Sequence, residues 1–340
     1  MQEAVSRRGF LSLAAFAAAP LRTAGGGQPV VSLVTGDERR KNVYNALVAI
    51  DDQIRPALKR KKYVLIKPNC VAVNFQLGST HAHALRGILD YIAPRFKGPV
   101  VIAESSRDYT WDAYDNFHYS QVVSEYRSHK VKLIDLNEEE RYEPFEILDQ
   151  NVHMRQVRLA ARLMDPDAFL LGSAILKSHD AVVTTLSVKN MAMAAPLHSA
   201  RKSAEKWHDK SRYHAGFRQM HMSIFMTAKR LRPFWGATVI DGYEGMEGNG
   251  PLNGTPVASR LAIASTDFVA ADRVGVEVMG INPGWPGYLN YCGRAGLGCY
   301  DLAKIHLRGG VAPDAVRKTY QLHKAIDRQM EWIEPLPKRT

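Results

Sequence analysis

The apolar positions of the chain fall into short continuous runs that alternate with longer amphipathic stretches. Runs such as 100–103 are typical of buried strands, whereas stretches such as 81–92, with apolar residues three and four positions apart, are typical of helices packed on one face. The predicted strands cover 30–34, 63–66, 100–103, 131–134, 168–171, 237–240 and 261–264. The predicted helices cover 42–54, 81–92, 119–128, 199–230, 268–279 and 313–332.

Strands that alternate with helices predict an α/β fold, in which mostly parallel sheets carry helices on both faces. The pattern forms two series, which predicts two lobes with a cleft between them. We expect an N-terminal α/β lobe over 28–150 and a second α/β lobe over 151–312 that carries most of the candidate site. The acidic stretch 138–141 is predicted to be a solvated loop between the two lobes. Residues 313–340 are predicted to form a C-terminal helix and tail.

Composition narrows the class of protein. Of the 340 residues, 46% are hydrophobic and 23% are charged, which is ordinary for globular chains and excludes disordered, collagen-like and coiled-coil proteins. No apolar run reaches the roughly 18 residues that span a bilayer, so we expect no stable membrane span. The net charge of +11 favours acidic partners. Because no zinc-finger or RNA-binding signature accompanies it, we expect a small anionic ligand and no nucleic acid.

The first residues have the layout of an export signal. Arg7 and Arg8 stand between Ser6 and Phe10, and an apolar, Ala-rich stretch follows as far as Ala19. This is the twin-arginine arrangement of a charged region ahead of a short apolar region. The sequence therefore predicts a signal and flexible lead-in over 1–27, the twin-arginine export machinery as a partner, and a periplasmic or extracellular location.

Cysteine spacing bears on the cofactor. Cys70, Cys292 and Cys299 are the three cysteines, and no two of them form a C-x-x-C pair. Iron–sulfur clusters of the ferredoxin type need such pairs, so we expect none here. Cys292 and Cys299 suit either a disulfide or idle thiols. The cofactor stays open, with a divalent metal as one alternative.

Basic and amide side chains follow several predicted strands at the point where each strand ends. Lys67 and Asn69 come directly after the strand 63–66, and Lys177 and His179 follow the apolar run that begins at 168. In open α/β sheets the ligand crevice lies beyond the carboxyl ends of the strands. An unpaired ammonium among apolar residues is costly, so the Lys189–Asn190 pair requires an anionic partner. We predict one pocket, near Asp241, that holds Lys177, His179, Lys189 and Asn190, with Lys67 and Asn69 as ligand-binding groups.

A glycine-rich acidic run follows the strand 237–240. Asp241, Glu244 and Glu247 are separated by glycines that let the backbone turn tightly. Carboxylate oxygens in a compact loop suit a hard cation such as Mg²⁺ or Ca²⁺. The alternative is that these acids pair with Lys177 and Lys189.

Six short sequence segments, taken together, resemble those of a known family. In order and spacing the chain resembles the uncharacterised bacterial and archaeal family called domain of unknown function 362, over about residues 60 to 310. The resemblance implies the α/β fold and the pocket residues, but it implies no reaction. Many relatives carry a ferredoxin-type cluster domain, and this chain lacks the cysteines for one. The segments are Lys67–Asn69, Leu176–His179, Leu186–Met191, Asp241–Gly242, Met246–Pro251 and Ser265–Asp272.

Two classes of function follow from these residues. In the first, the chain is an exported enzyme acting on a small anionic substrate, with Lys177 and Lys189 beside His179 as the proton-transfer group. In the second, the same cleft belongs to an exported, non-catalytic binding protein for an anionic ligand or a metallocofactor. The proton-transfer group beside several cations favours the enzyme.

Overall fold

One large sheet organises the chain in the computed structural model, which describes residues 28–335. Its strands and those of a separate hairpin are β1 (Val30–Thr35), β2 (Tyr63–Lys67), β3 (Val100–Glu104), β4 (Val131–Asp135), β5 (Tyr142–Leu148), β6 (Met154–Ala160), β7 (Ala168–His179), β8 (Val183–Thr185), β9 (Trp235–Asn249), β10 (Asn253–Val257), β11 (Leu261–Ser265) and β12 (His306–Arg308). The α-helices are α1 (Arg39–Val48), α2 (Asp51–Leu58), α3 (Ala82–Ile92), α4 (Thr110–Asn116), α5 (Tyr119–Glu125), α6 (Ser187–Ala194), α7 (Phe217–Leu231), α8 (Phe268–Val278), α9 (Gly287–Arg294), α10 (Pro313–Val316) and α11 (Ile326–Gln329).

Ten strands form this sheet, and its main path runs in the order β12-β1-β11-β9-β7-β2-β3-β4. From β9 to β4 every pairing is parallel, and so is that of β1 with β12. β11 runs antiparallel to both of its neighbours, and β8 and β10 add antiparallel pairings to β7 and β9. The predicted α/β class with a mostly parallel sheet is confirmed.

Helices cover both faces of the sheet, as predicted. In β2, Leu65 joins the apolar cluster on one face, and Val64 and Ile66 join the cluster on the other. This alternation follows from the two-residue period of a strand. The cluster around Leu65 takes residues from α6, α7, α8 and α9, and the opposite one takes residues from α1, α2, α3 and α5.

Strands from both predicted lobes share the sheet. β1 pairs with β11 and β12, and β2 pairs with β7, so each of these contacts crosses residue 150. The two-lobe arrangement is not confirmed, and the boundary at residue 150 stays a prediction. The expected seam at 138–141 leads instead into the antiparallel hairpin of β5 and β6, which the sequence pattern did not indicate.

Two expected helices are much shorter than predicted. The basic segment 199–230 becomes helical over α7, after an irregular stretch and a 3₁₀ turn at Asp209–His214. The stretch 313–332 holds α10 and α11 with extended chain between them. There the N–H groups of Lys318 and Tyr320 donate to the carbonyls of Val278 and Met279, so backbone bonds to α8 replace helical ones. Within 28–335, none of the helices combines the length and hydropathy needed to cross a bilayer.

Candidate functional site

Three neighbouring parallel strands bring charged side chains to one edge of the sheet. Lys67 is the last residue of β2, Glu104 is the last residue of β3, and His179 is the last residue of β7. β7, β2 and β3 are adjacent in the sheet and run in the same direction. Their carboxyl ends therefore point to the edge where ligands bind in open α/β sheets, and β7 continues past the end of β2.

A cavity of about 310 Å³ opens at this edge. Five of the residues predicted as a site line it, namely Lys67, Asn69, His179, Lys189 and Asn190. The structure therefore gathers side chains that are separated by more than 120 positions along the sequence, whereas Lys177 and Asp241, which were predicted at the same pocket, do not line it.

Lys67 and Glu104 form a buried ion pair on the cavity wall. The Lys67 ammonium lies 3.0 Å from Glu104 Oε2 and donates to Asn190 Oδ1 (2.6 Å) and to the Asn190 carbonyl (3.0 Å). Asn69 Nδ2 donates to the same Asn190 Oδ1 at 2.9 Å. Burial lowers the pKa of Lys67 below 10.5, and Glu104 opposes that shift. Removing either partner would leave an uncompensated buried charge.

The N-terminus of α6 carries the other two predicted residues, Lys189 and Asn190. Asp272 on α8 accepts the N–H groups of Ser187 at 2.7 Å and Val188 at 2.9 Å. These are the first N–H groups of the helix, which have no acceptor inside it. Asp272 is fully buried, and burial raises its pKa to about 7. The acidic side chain of one helix thus positions the cavity-facing residues of another.

Lys189 differs from Lys67 in that the described residues offer its ammonium no hydrogen-bond or ion-pair partner. Its side chain is 5% exposed, and no hydrogen-bond acceptor or ion-pair partner for its ammonium lies among residues 28–335. Burial lowers its pKa to about 8, with Lys67 adding to that shift and Asp180 opposing it. An unpaired buried ammonium is costly, so the cavity favours an anion at this position.

Lys210 and Glu104 are cavity residues that sequence reasoning missed. Lys210 donates to Ser105 Oγ (3.0 Å) and to the Met193 carbonyl, and burial lowers its pKa to about 7. It lies in the 3₁₀ turn inside the segment expected to be helical, where nothing distinguished it from surface lysines. Glu104 had a signal, because it ends an apolar strand just as Lys67 does.

His179 is held as a neutral ring. The Ala181 N–H donates to Nδ1 at 3.0 Å, which leaves the ring proton on Nε2. The Asp180 carboxylate lies 3.1 Å from the same nitrogen, but half of that side chain is exposed. Burial, together with Lys189 and Lys177, keeps the pKa of His179 well below 6.5. At neutral pH the imidazole is a hydrogen-bond donor through Nε2.

Lys177 lies behind the cavity rather than on its wall. Its side chain is fully buried, and its ammonium donates to the Gly78 carbonyl at 2.7 Å. Burial lowers its pKa well below 10.5, and Lys189 and Lys67 add to that shift. The structure therefore places Lys177 near the site as a neighbouring charge, without access to a ligand.

The three predicted metal ligands do not converge. Their run lies in the long strand β9 rather than in a loop. Asp241 Oδ2 is 3.1 Å from Arg39 Nε, Glu244 is half exposed and 3.8 Å from the same guanidinium, and Glu247 accepts the Gln321 N–H at 2.8 Å. Across 28–335, no three His, Cys, Asp or Glu side chains are arranged to hold a metal ion. Both expectations for this run were wrong, because Arg39, and not Lys177 or Lys189, pairs with Asp241.

The remaining charges around the cavity are mostly basic. Arg107 lines it together with the three lysines, and His208 and His214 add two imidazoles. The carboxylates on the lining are those of Glu104 and Asp180. Because Glu104 already balances Lys67, the cavity retains an excess of positive charge.

A comparison with protein families covers this whole site. The family model described as "Domain of unknown function (DUF362)" matches residues 64–277. The chain belongs to this family. The matched range contains every residue that lines the cavity of this DUF362 protein, from Lys67 to Leu252. It leaves out β1 and β12, which complete one side of the sheet.

Two individual proteins are similar to this DUF362 chain. The "Thylakoid-associated protein sll1697" of Synechocystis is 32% identical over 128 residues, which are 37% of each chain. The match therefore spans little more than a third of that protein. A crystal structure of a Thermotoga maritima protein aligns with 66% of this chain and 55% of its own, at 7% identity and a TM-score of 0.38.

Proposed function

We propose that this DUF362 protein is an enzyme that binds a small anionic substrate in the cavity at the carboxyl ends of β2, β3 and β7. The observation that carries the proposal is Lys189, a buried ammonium on the cavity wall with no partner among the described residues. A protein retains such a group at a cost in stability, and a ligand anion recovers that cost.

The cavity supports a ligand of limited size. Its volume of about 310 Å³ is near the lower end of the range for small-molecule sites, roughly 300 to 1,000 Å³. Arg107 and Lys210 line the same cavity as Lys189, so an anionic group has several donors within one small space. The proposed substrate is therefore compact, with its charge held against lysine and arginine.

The proton-transfer groups follow from the hydrogen bonds. His179 keeps its proton on Nε2, so it serves as a donor to a developing negative charge and not as a base. The base is a lysine, because the pKa values of Lys189 (about 8) and Lys210 (about 7) leave free amine near neutrality. Neither Lys177 nor a bound metal has a part in this proposal.

The test combines binding with proton exchange. The protein is titrated with inorganic phosphate, oxalate and pyruvate, and Lys189→Met is compared with Lys97→Met, which removes an exposed lysine. We expect at least one anion to bind, with affinity lowered roughly tenfold or more by the loss of one charged contact in Lys189→Met and unchanged in Lys97→Met. Affinity also falls as the pH rises through about 8, because Lys189 loses its charge.

Exchange separates catalysis from binding. In deuterated buffer, mass spectrometry follows deuterium entering the methyl group of pyruvate, which the enzyme accelerates if it moves protons. Binding of pyruvate without exchange identifies a non-catalytic binding protein for this acid, the alternative function, whereas phosphate and oxalate, which have no carbon-bound hydrogen, measure binding alone. Absence of binding by all three anions, or equal binding by wild type and Lys189→Met, refutes the proposed site.

We also propose that the protein is exported by the twin-arginine route. Support comes from Arg7 and Arg8 with the apolar stretch that follows them. These residues lie outside the described part of the chain. Export in the folded state would deliver the cavity, formed from distant segments, ready to bind its ligand.

A further inference from the structure

The cavity holds three lysines, and their hydrogen bonds separate their roles. Lys67 is paired with Glu104 and donates to Asn190. Lys210 donates to Ser105 Oγ and to the Met193 carbonyl. Lys189 has neither kind of partner among residues 28–335, so its Nζ is the amine free to react.

The surroundings of Lys189 raise the fraction of free amine relative to that of an exposed lysine. Lys189 is 5% exposed, and burial lowers its pKa; Lys67 adds a repelling positive charge, while Asp180 and Glu104 oppose the shift. With a pKa of about 8, it holds on the order of 100-fold more free amine at pH 8 than an ordinary exposed lysine. A desolvated lysine beside another cation is the usual nucleophile toward carbonyl substrates.

The neighbouring groups complement such a reaction. His179 lines the same cavity and carries its proton on Nε2, where it can donate to a carbonyl oxygen. Arg107 and Lys210 provide donors for a carboxylate elsewhere on the lining. The site therefore combines a nucleophile, a proton donor for oxygen and an anion-binding wall.

We propose that Lys189 forms an imine with the carbonyl carbon of a small keto or aldehydic acid, an inference that rests on the proposed function and names its substrate class. The amine nitrogen bonds to the carbonyl carbon while the His179 Nε2–H donates a hydrogen bond to the oxygen, and one amine hydrogen moves to that oxygen. The C–O bond then breaks, the second amine hydrogen leaves with the oxygen as one water molecule, and no oxidant or reductant is required.

The experiment traps the imine by reduction. The protein is incubated with pyruvate or glyoxylate and sodium cyanoborohydride, and peptide mapping by mass spectrometry locates the adduct. The matched variant is Lys189→Arg, which keeps the positive charge but cannot form an imine. We expect saturable adduct on Lys189, roughly tenfold or more above that on any exposed lysine because more free amine is present. Its yield increases as the pH rises through about 8 and falls when oxalate competes.

Separate readouts distinguish the possible failures. Lys189→Arg is expected to bind oxalate while losing the adduct, and its unfolding curve shows that it is folded. An adduct mainly on Lys210, or none while wild type binds pyruvate and glyoxylate in the titration, overturns the imine and leaves the anion-binding function standing. Absence of binding by phosphate, oxalate, pyruvate and glyoxylate overturns the proposed function together with the imine.

Discussion

At the scale of single residues, two lysines that line the cavity differ in whether their ammonium groups have partners. Lys67 has partners, because oxygens of Glu104 and Asn190 lie 2.6 to 3.0 Å from its ammonium. Lys189 is equally buried but has no such partner in the described chain. Hydrogen bonding to the charged form favours it, whereas burial alone disfavours it. The first lysine therefore supports the structure, and the second is available for a ligand.

This difference predicts that Lys189→Met stabilises the protein. The native pKa of about 8 lies below 10.5, so wild type gains stability as the pH rises between these values, where the native state has already lost the proton. At pH 7 we expect the free energy of unfolding of Lys189→Met to exceed that of wild type by about 2 kcal/mol. The difference shrinks toward pH 10.

Denaturant unfolding at pH 7 and pH 10 measures this effect, with Lys97→Met as the control for loss of an exposed lysine. Surface substitutions usually change stability by less than about 0.5 kcal/mol. A variant less stable than wild type at pH 7 would show that Lys189 has a stabilising partner.

At the scale of elements, α6 is short and depends on its neighbours for position. Its eight residues are too few to be stable alone, since isolated helices shorter than about 12 residues are marginal in water. Asp272 on α8 satisfies two of its first N–H groups. The position of the helix, and of the lysine it carries, therefore depends on two hydrogen bonds to Asp272. Each of these bonds joins residues that are more than 80 positions apart in the sequence.

We predict that Asp272→Ala weakens both the fold and the cavity. Two buried N–H groups lose their acceptor, at about 1–3 kcal/mol each, so the free energy of unfolding falls by roughly 2–6 kcal/mol. Anion affinity falls as well, because Lys189 and Asn190 shift with the helix.

Asp272→Asn is the matched variant for this prediction, because it retains one acceptor oxygen and is expected to lose less. Since burial raises the pKa of Asp272 to about 7 from 3.8, wild type loses stability as the pH rises through that window, where the native state holds the extra proton. Asp272→Asn lacks this loss. Unfolding curves at pH 5 and pH 7 test it, and an Asp272→Ala protein as stable as wild type would exclude the capping role.

The whole molecule is organised by one sheet that strands from distant parts of the chain complete. β1 lies between β11 and β12, whose residues follow it by more than 200 positions. The cavity draws on β2, β3, β7, α6 and the turn after β9. Such a site exists only after most of the chain has folded, which suits export of a folded protein.

The export proposal predicts that residues 1–27 direct a folded reporter through the twin-arginine machinery. Changing Arg7→Lys together with Arg8→Lys should abolish export, because the arginine pair is the recognised feature. Arg22→Lys is the control within the same segment and should leave export intact. Periplasmic reporter activity measures the result, and undiminished export of the double variant would rule out this route.

The sequence by itself determined most strands of the sheet and five of the candidate residues that line the cavity. Continuous apolar runs mark strands buried on both faces, and this signal is local, so β1, β2, β3 and β11 could be predicted closely. Five residues could be predicted to lie together because polar side chains that follow buried strands emerge at the same edge of the sheet. They are Lys67, Asn69, His179, Lys189 and Asn190. The hairpin of β5 and β6 was missed, since most of its residues are at least partly exposed and neither strand contains a continuous apolar run.

Only the tertiary structure decided which charges are paired. Glu104 reaches Lys67 because β3 lies beside β2, and Arg39 takes Asp241 because α1 packs near β9. Neither pairing has a signature in local sequence, so the acids of 241–247 and the ammonium of Lys177 looked available when they were not. The partner of a buried charge depends on strand order and helix packing, and that is why Lys189 could be recognised as unpaired only in the folded chain.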